Sequence, residues 1–413
     1  MFREGDSSPT IHLTFEEVSR LRLNMAKQVL LVRGGALGVN TGIGGAHHNL
    51  ATSLAQGDIK GWESNATCEY RIKKRMNPFS RLFQRWYAHP KRVAKALKKN
   101  HNYSLLHITD QEQAHLIPEQ CSIPVVVTVH DLFHFFPEQL KIGDESIDVG
   151  EQKPRWYRRR DLKKLRAGLA RADLLVCGSQ ATLSACQKYF PKVDSVCVPL
   201  GLDVQNFSPK SQENTEVVGP ASNLSKSCHL LVVGSHAPRK RLLFLCQILG
   251  KIDEDTKRNI TVHHVGNETC PYGGKSASQL AQQFDVSHWV SHGGELSSDE
   301  LMHLRYASEA LLFPSASEGF GYPPLEAMAS GTPVLCSDLP SHNELMPDET
   351  CLRPDDKEAW KEAVMAVFSN WQSRSKNDEQ HVWPKPRSGL IEFASRFDQS
   401  RFCLRMAEIY DSL

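Results

Sequence analysis

The stretch that most constrains this chain is residues 313–331, FPSASEGFGYPPLEAMASG. Leu311, Leu312 and Phe313 close a short apolar run of the kind a buried strand uses. Gly319 and Gly321 then straddle Phe320, and a backbone without Cβ lets a ligand come close. Pro323 and Pro324 suit the opening of a helix, where a missing N–H costs nothing, and Gly331 suits the position just past its end. The pattern predicts a strand, a glycine loop and a helix with Glu326 in its first turn. Glu318 and Glu326 then flank free N–H groups at the positive end of a helix dipole. N–H groups there hold an anion while the carboxylates accept from hydroxyls, so a ligand with phosphates and sugar hydroxyls fits.

The same strand–loop–helix rhythm runs through the chain. Residues 28–33 (QVLLVR), 123–129 (IPVVVTV), 172–178 (ADLLVCG), 229–233 and 261–266 read as buried strands, and most are followed by helical patterns. Helices are expected from about Ser276, after a capping box of Ser297 and Glu300, and from about Leu390 to Leu413. Polar, turn-rich residues 209–227 read as a linker. Alternation of this kind over 413 residues predicts an α/β chain of two Rossmann-like, doubly wound domains facing across a cleft. The expected division is 1–208, the linker 209–227, 228–388, and a C-terminal helix 389–413 crossing back to the first domain.

Charge and cysteine content narrow the partners. A net charge of +2 gives no overall field for nucleic acid. The 11 cysteines contain no CxxC pair, which predicts reduced thiols and a cytoplasmic setting, and neither a disulfide frame nor a zinc site. The polar start reads as no signal peptide, and no apolar run is long enough to span a membrane. Residues 71–100 nevertheless contain no acid, and Phe79, Leu82, Phe83, Trp86 and Tyr87 interleave with their Lys and Arg. That pattern is either a solvated helix face or an element touching an anionic membrane or an acidic acceptor. A second basic run lies at 153–171. His130 and His134 have the spacing of two metal ligands on a helix, but no HExxH glutamate is present and they follow a strand, so no metal site is expected.

EGFGYPPLE, continued by EAMASGTPVLCSD, resembles the donor-site signature of the retaining GT-B glycosyltransferases of family 4, in the style of bacterial mannosyltransferase-like members. TGIGGAHHNLA, TVHDL, VCVPLGL and VGSHAPRKR are similar to further elements of that family, so the likeness covers most of the chain. The resemblance implies transfer of a hexose, mannose or glucose, from a nucleotide-diphosphate sugar to an acceptor hydroxyl. The acceptor would be a saccharide, a lipid-linked sugar or a small molecule. It further implies that Glu326 accepts from the ribose, that Glu318 touches the transferred sugar, and that His130 faces that sugar from the other domain. N–H groups near Gly319, Phe320 and Gly321 would meet the phosphates, and Gly42, Gly44 and Gly45 would approach the substrate with their backbone. Arg239 and Lys240 would neutralise the leaving diphosphate, with no metal and no cofactor. Leu200 and Ser235 stand where many relatives carry Asn and Arg, and no DxD element appears, since Asp355 and Asp356 are adjacent. The competing expectations are a GT-B epimerase, a phosphorylase, and a non-catalytic sugar-nucleotide binder that docks on membranes.

Overall fold

The computed structural model describes residues 26–35, 38, 41–70, 77–99, 102–208, 217–224, 226–271, 273–294, 296–347, 350–375 and 387–413. Parts of the basic stretch (71–76 and 100), of the first glycine loop (36, 37, 39 and 40) and of the linker (209–216 and 225) lie outside the described residues.

The first half supplies β1 (Lys27–Gly35), β2 (Trp62–Glu63), β3 (Thr67–Tyr70), β4 (Tyr103–Ile108), β5 (Val125–Val129), β6 (Glu138–Ile142), β7 (Glu145–Val149), β8 (Leu174–Cys177) and β9 (Asp194–Cys197). All but β6 and β7 form one parallel sheet in the order β2-β1-β4-β5-β8-β9, with β3 also pairing β1. The apolar runs predict this burial on both faces. Val29 and Leu31 feed one core cluster, while Leu30 and Val32 feed another. β6 and β7 form an antiparallel hairpin that the sequence pattern does not predict; it is turned at Gly143, where φ is 56°.

The second half supplies β10 (Cys228–Val233), β11 (Ile260–Val265), β12 (Trp289–Ser291), β13 (Ala310–Phe313) and β14 (Val334–Cys336), all parallel in the order β12-β11-β10-β13-β14. Strand order reverses between β1 and β4 in the first sheet and between β10 and β13 in the second. Ligands of open α/β sheets bind outside the carboxyl ends of the strands at such points.

The C-terminal segment packs against the first half of the chain, and it is not one helix. Ser388–Ala394 ends in a 3₁₀ turn, and a new helix, Gln399–Asp411, starts on Asp398, whose carboxylate accepts from Ser400 N–H. The break lets Leu202 and Asp398 pair as a short bridge, with Leu202 N–H to the Phe397 carbonyl and Gln399 N–H to the Leu202 carbonyl, both 2.9 Å. Further along, Trp62 donates to Asp411 (3.0 Å) and the Tyr410 hydroxyl meets His107 (2.5 Å). One core cluster thus includes Val29, Leu31, Phe313, Phe320, Met328, Phe402, Met406 and Tyr410, joining both halves. Among the described residues no helix is long and apolar enough to cross a membrane.

Candidate active site

The loops that follow β10 and β13 meet at the second switch point. Ala316 N–H donates to the Arg239 carbonyl (2.7 Å), which ties one loop to the other. Arg239 donates to the Ser317 carbonyl (2.9 Å), and Glu318 lies between Arg239 Nη1 (2.7 Å) and Lys240 Nζ (2.6 Å). Lys240 also stands 4.6 Å from the Phe313 ring centroid. Burial alone raises a carboxyl pKa, yet the Arg239 and Lys240 charges hold Glu318 well below the usual carboxylate range. Burial lowers Lys240, partly offset by the Glu318 charge. Three of the expected residues therefore form one partly buried ionic group whose own charges sum to +1.

The following helix, Tyr322–Ala329, places Pro323 and Pro324 in its first turn, and Gly331 follows its end at φ 73°. Gly321 precedes it at φ 126°, a conformation that favours glycine. Because the helix begins at Tyr322, Glu326 falls in the second turn, not the first as the sequence pattern suggested. Its carboxylate pairs with Arg305, a buried side chain on the helix Ser298–Ala307. That helix starts on the expected capping box of Ser297 and Glu300.

In the first domain His130 follows β5. Its Nε2 donates to the Thr109 carbonyl (3.1 Å), so the neutral ring carries its acceptor on Nδ1, and burial lowers its pKa. Gly44 and Gly45 lie in the first turn of the helix Gly42–Gln56. Their N–H groups are already bound, Gly44 to the Thr41 hydroxyl (3.1 Å) and Gly45 to the Thr41 carbonyl (2.7 Å). A Cβ on Gly44 would stand 2.1 Å from the Gly38 carbonyl oxygen. Both N–H groups are thus used within the chain, and Gly44 has no room for a side chain. Two recesses open at this switch point, of about 200 and 310 Å³, sharing Arg33 and His47; the larger is mostly polar and the smaller mostly apolar. Asp110 lines the smaller, with burial raising its carboxyl to about 6; Gly44 lines the larger.

The two domains touch at the glycine loop. A Cβ on Gly319 would stand 1.9 Å from the His130 carbonyl oxygen, so the loop lies directly on the strand end that carries His130. The Gly319 carbonyl accepts from Ser179 (2.6 Å) and Thr182 (3.2 Å), at the start of the helix Gln180–Tyr189. Glu344 of the second domain accepts from Gln180 N–H (2.7 Å) and Ala181 N–H (3.0 Å) of that helix. On the other flank Arg241, at φ 54°, pairs with Glu145 of the β6–β7 hairpin (3.0 Å). Sequence reasoning missed Ser179, Thr182, Glu344, Arg305 and Glu145. The only local signal was the Ser179 capping position, which marks a helix start and nothing more.

Two parallel-sheet domains facing each other with cationic loops at the second switch point define the GT-B architecture. The profile described as Glycosyl transferases group 1 matches residues 221–381, and that of Glycosyltransferase Family 4 matches residues 53–206. The second half thus matches the group 1 glycosyltransferases and the first half glycosyltransferase family 4. It is 26% identical over 265 residues to O-antigen chain mannosyltransferase B of Escherichia coli, covering 63% of each chain. It is 39% identical over 93 residues to O-antigen chain mannosyltransferase RfbU of Salmonella typhimurium, covering 22% of this chain and 26% of that one. The matched part is thus less than two thirds of the length of either relative. The fold is also that of sucrose-phosphate synthase from Thermosynechococcus elongatus, with TM-score 0.65 and 19% identity over 94% of this chain and 98% of that one.

Proposed function

We propose that this chain transfers a hexose, mannose or glucose, from a nucleotide-diphosphate sugar to an acceptor hydroxyl, with retention of anomeric configuration and without a metal. The observation that carries this reading is the Arg239–Glu318–Lys240 group beside Gly319 and His130. Its net positive charge attracts a diphosphate. As the glycosidic bond breaks, negative charge grows on the leaving phosphate, and fixed cations in a buried site stabilise it. Cation contacts that pass from Glu318 to the phosphate free the carboxylate to accept from sugar hydroxyls. His130 meets the sugar from the first domain, and Glu326, steadied by Arg305, accepts from the ribose. Mannose is favoured over glucose by the names of the two O-antigen relatives. The recesses beside Arg33 and His47 take the acceptor.

A second observation extends the reading to a membrane surface. Phe79, Phe83 and Tyr87, spaced four apart, are 84%, 60% and 52% exposed, and exposed Arg81, Lys91, Arg92, Lys95, Lys98 and Lys99 accompany them. The protein is then a cytoplasmic enzyme held peripherally on anionic lipid, where a lipid-linked acceptor would lie.

The test incubates the protein with GDP-mannose, UDP-glucose and related donors, with and without EDTA, while free nucleoside diphosphate is measured. One donor should be turned over equally with chelator present, and NMR should show retained configuration at the transferred carbon. A bound donor at 100 times its dissociation constant should also stabilise the fold by ~2.7 kcal/mol. Turnover lost in EDTA and restored by Mg²⁺ defeats the metal-free mechanism. Failure of every donor to be bound or cleaved defeats the whole reading.

A further inference from the structure

The Gly319 carbonyl accepts hydrogen bonds from two hydroxyls that belong to the opposite domain. Each hydroxyl has one proton to give. Ser179 directs its proton at Gly319, at 2.6 Å, while its oxygen accepts from Thr182 N–H (3.1 Å) as the helix cap. The Thr182 proton lies between the carbonyls of Gly319 (3.2 Å) and His130 (3.4 Å). A peptide group is planar and trans, so the carbonyl of Gly319 and the N–H of Phe320 point in opposite directions. Drawing the carbonyl toward the first domain therefore turns the Phe320 N–H the other way, back toward the second domain that carries it.

The contact exists only with the domains together. Gly319 packs so closely on the His130 carbonyl that a methyl group would not fit. Glu344 holds the same helix start from the second domain through Gln180 and Ala181 N–H. Without the closed arrangement, the Gly319–Phe320 peptide loses both hydroxyls that fix its rotation.

We infer that Ser179 and Thr182 are positioning residues that aim the Phe320 N–H at the diphosphate of the bound donor, so that this donor contact is complete only when the domains close. The inference rests on the transferase reading above. Its physical consequence is that bond cleavage in an open, water-filled cleft lacks one oriented donor. Wasteful hydrolysis of the nucleotide sugar is thereby discouraged until both domains meet.

The test is the Ser179→Ala/Thr182→Val double variant, with Ser179→Thr as the conservative control. Two readouts are taken: steady-state kinetics, and hydrogen exchange of the 314–321 loop with and without added nucleoside diphosphate. Loss of one oriented donor should lower kcat by ~100-fold. Donor KM should change less than about threefold, because the second domain still binds the nucleotide. Ser179→Thr should keep wild-type kcat. Nucleoside diphosphate should slow exchange in the loop of the wild type and of Ser179→Thr, but not in the double variant. Wild-type kcat and wild-type loop protection in the double variant would overturn the inference. So would a parallel loss of kcat, donor binding and thermal stability, which marks a merely structural role. If no donor is turned over but nucleoside diphosphate still protects the loop in the hydroxyl-dependent way, the positioning stands and the transferase reading falls.

Discussion

Glu318 and Glu326 look alike in the sequence, yet their surroundings assign them different work. Glu318 offsets two cations that the diphosphate needs, so Glu318→Gln leaves the site more positive. Donor KM should then fall or stay level while kcat drops, because a carboxylate facing the sugar ring interacts more strongly as that ring gains positive charge. Glu326 is paired with one buried arginine on a neighbouring helix. Glu326→Gln weakens the hold on a part of the donor that does not change during reaction, so it should mainly raise KM. It also leaves Arg305 without its carboxylate partner, which should cost ~1–3 kcal/mol of stability. Steady-state kinetics and urea unfolding of the two variants check both halves. Equal effects of the two substitutions on kcat would defeat the assignment.

At the scale of elements, the basic helical stretch shows how a polar network can turn apolar residues outward. Arg85 reaches Asp161 (2.8 Å) and the Glu112 carbonyl (2.8 Å), and Trp86 Nε1 donates to Asp161 (3.1 Å). These bonds anchor one side of the element and leave Phe79, Phe83 and Tyr87 facing solvent. If that face enters anionic lipid, Phe79→Ser/Phe83→Ser should weaken binding to phosphatidylserine-rich vesicles on the order of 100-fold, given the worth of burying two aromatic rings. Binding of the unaltered protein should also weaken steeply in high salt, since surface charge is screened there. Equal binding to neutral and acidic vesicles would remove the membrane reading. The sequence showed these residues but not their direction. It did reveal the strand–loop–helix at 313–331, because each of its signals is local: an apolar run, two glycines, two prolines. The hairpin Glu138–Val149 stayed hidden because its apolar stripe is only two residues long on each strand, Leu140 and Ile142 sharing a face with Ile147 and Val149, among charged neighbours. Ser179, Thr182 and Glu344 were illegible for another reason: their partners lie more than a hundred residues away in the chain. The packing of Gly44 on the Gly38 carbonyl carried no signal in the sequence beyond the glycine-rich run itself.

The whole molecule shares one core between its halves, so both domains should unfold in a single transition. The pH dependence of that transition follows from buried histidines. Burial lowers His47, His107 and His263 to about 3, and also His115, which the neighbouring Arg85 charge pushes the same way. His107 is held neutral between the Tyr410 and Thr128 hydroxyls, and His263 between His229 and His292, each contact 3.0 Å or less. An unfolded chain protonates these rings near pH 6.5, whereas the folded chain does so only near 3. Between those values the unfolded state binds more protons, so stability must fall as pH falls. The loss approaches about 1.4 kcal/mol per pH unit for each such histidine well below 6.5. Asp110 acts oppositely, because burial raises it to about 6 and its protonation favours the folded state between about 6 and 4. It offsets roughly one histidine of the four. Urea unfolding at pH 7, 6 and 5 should therefore show a single transition whose midpoint drops steeply below pH 6.5, before most carboxylates titrate. His263→Phe should lessen that slope. A midpoint level from pH 7 to 5 would mean that the histidines are not held neutral, and two separated transitions would mean that the shared core does not couple the domains.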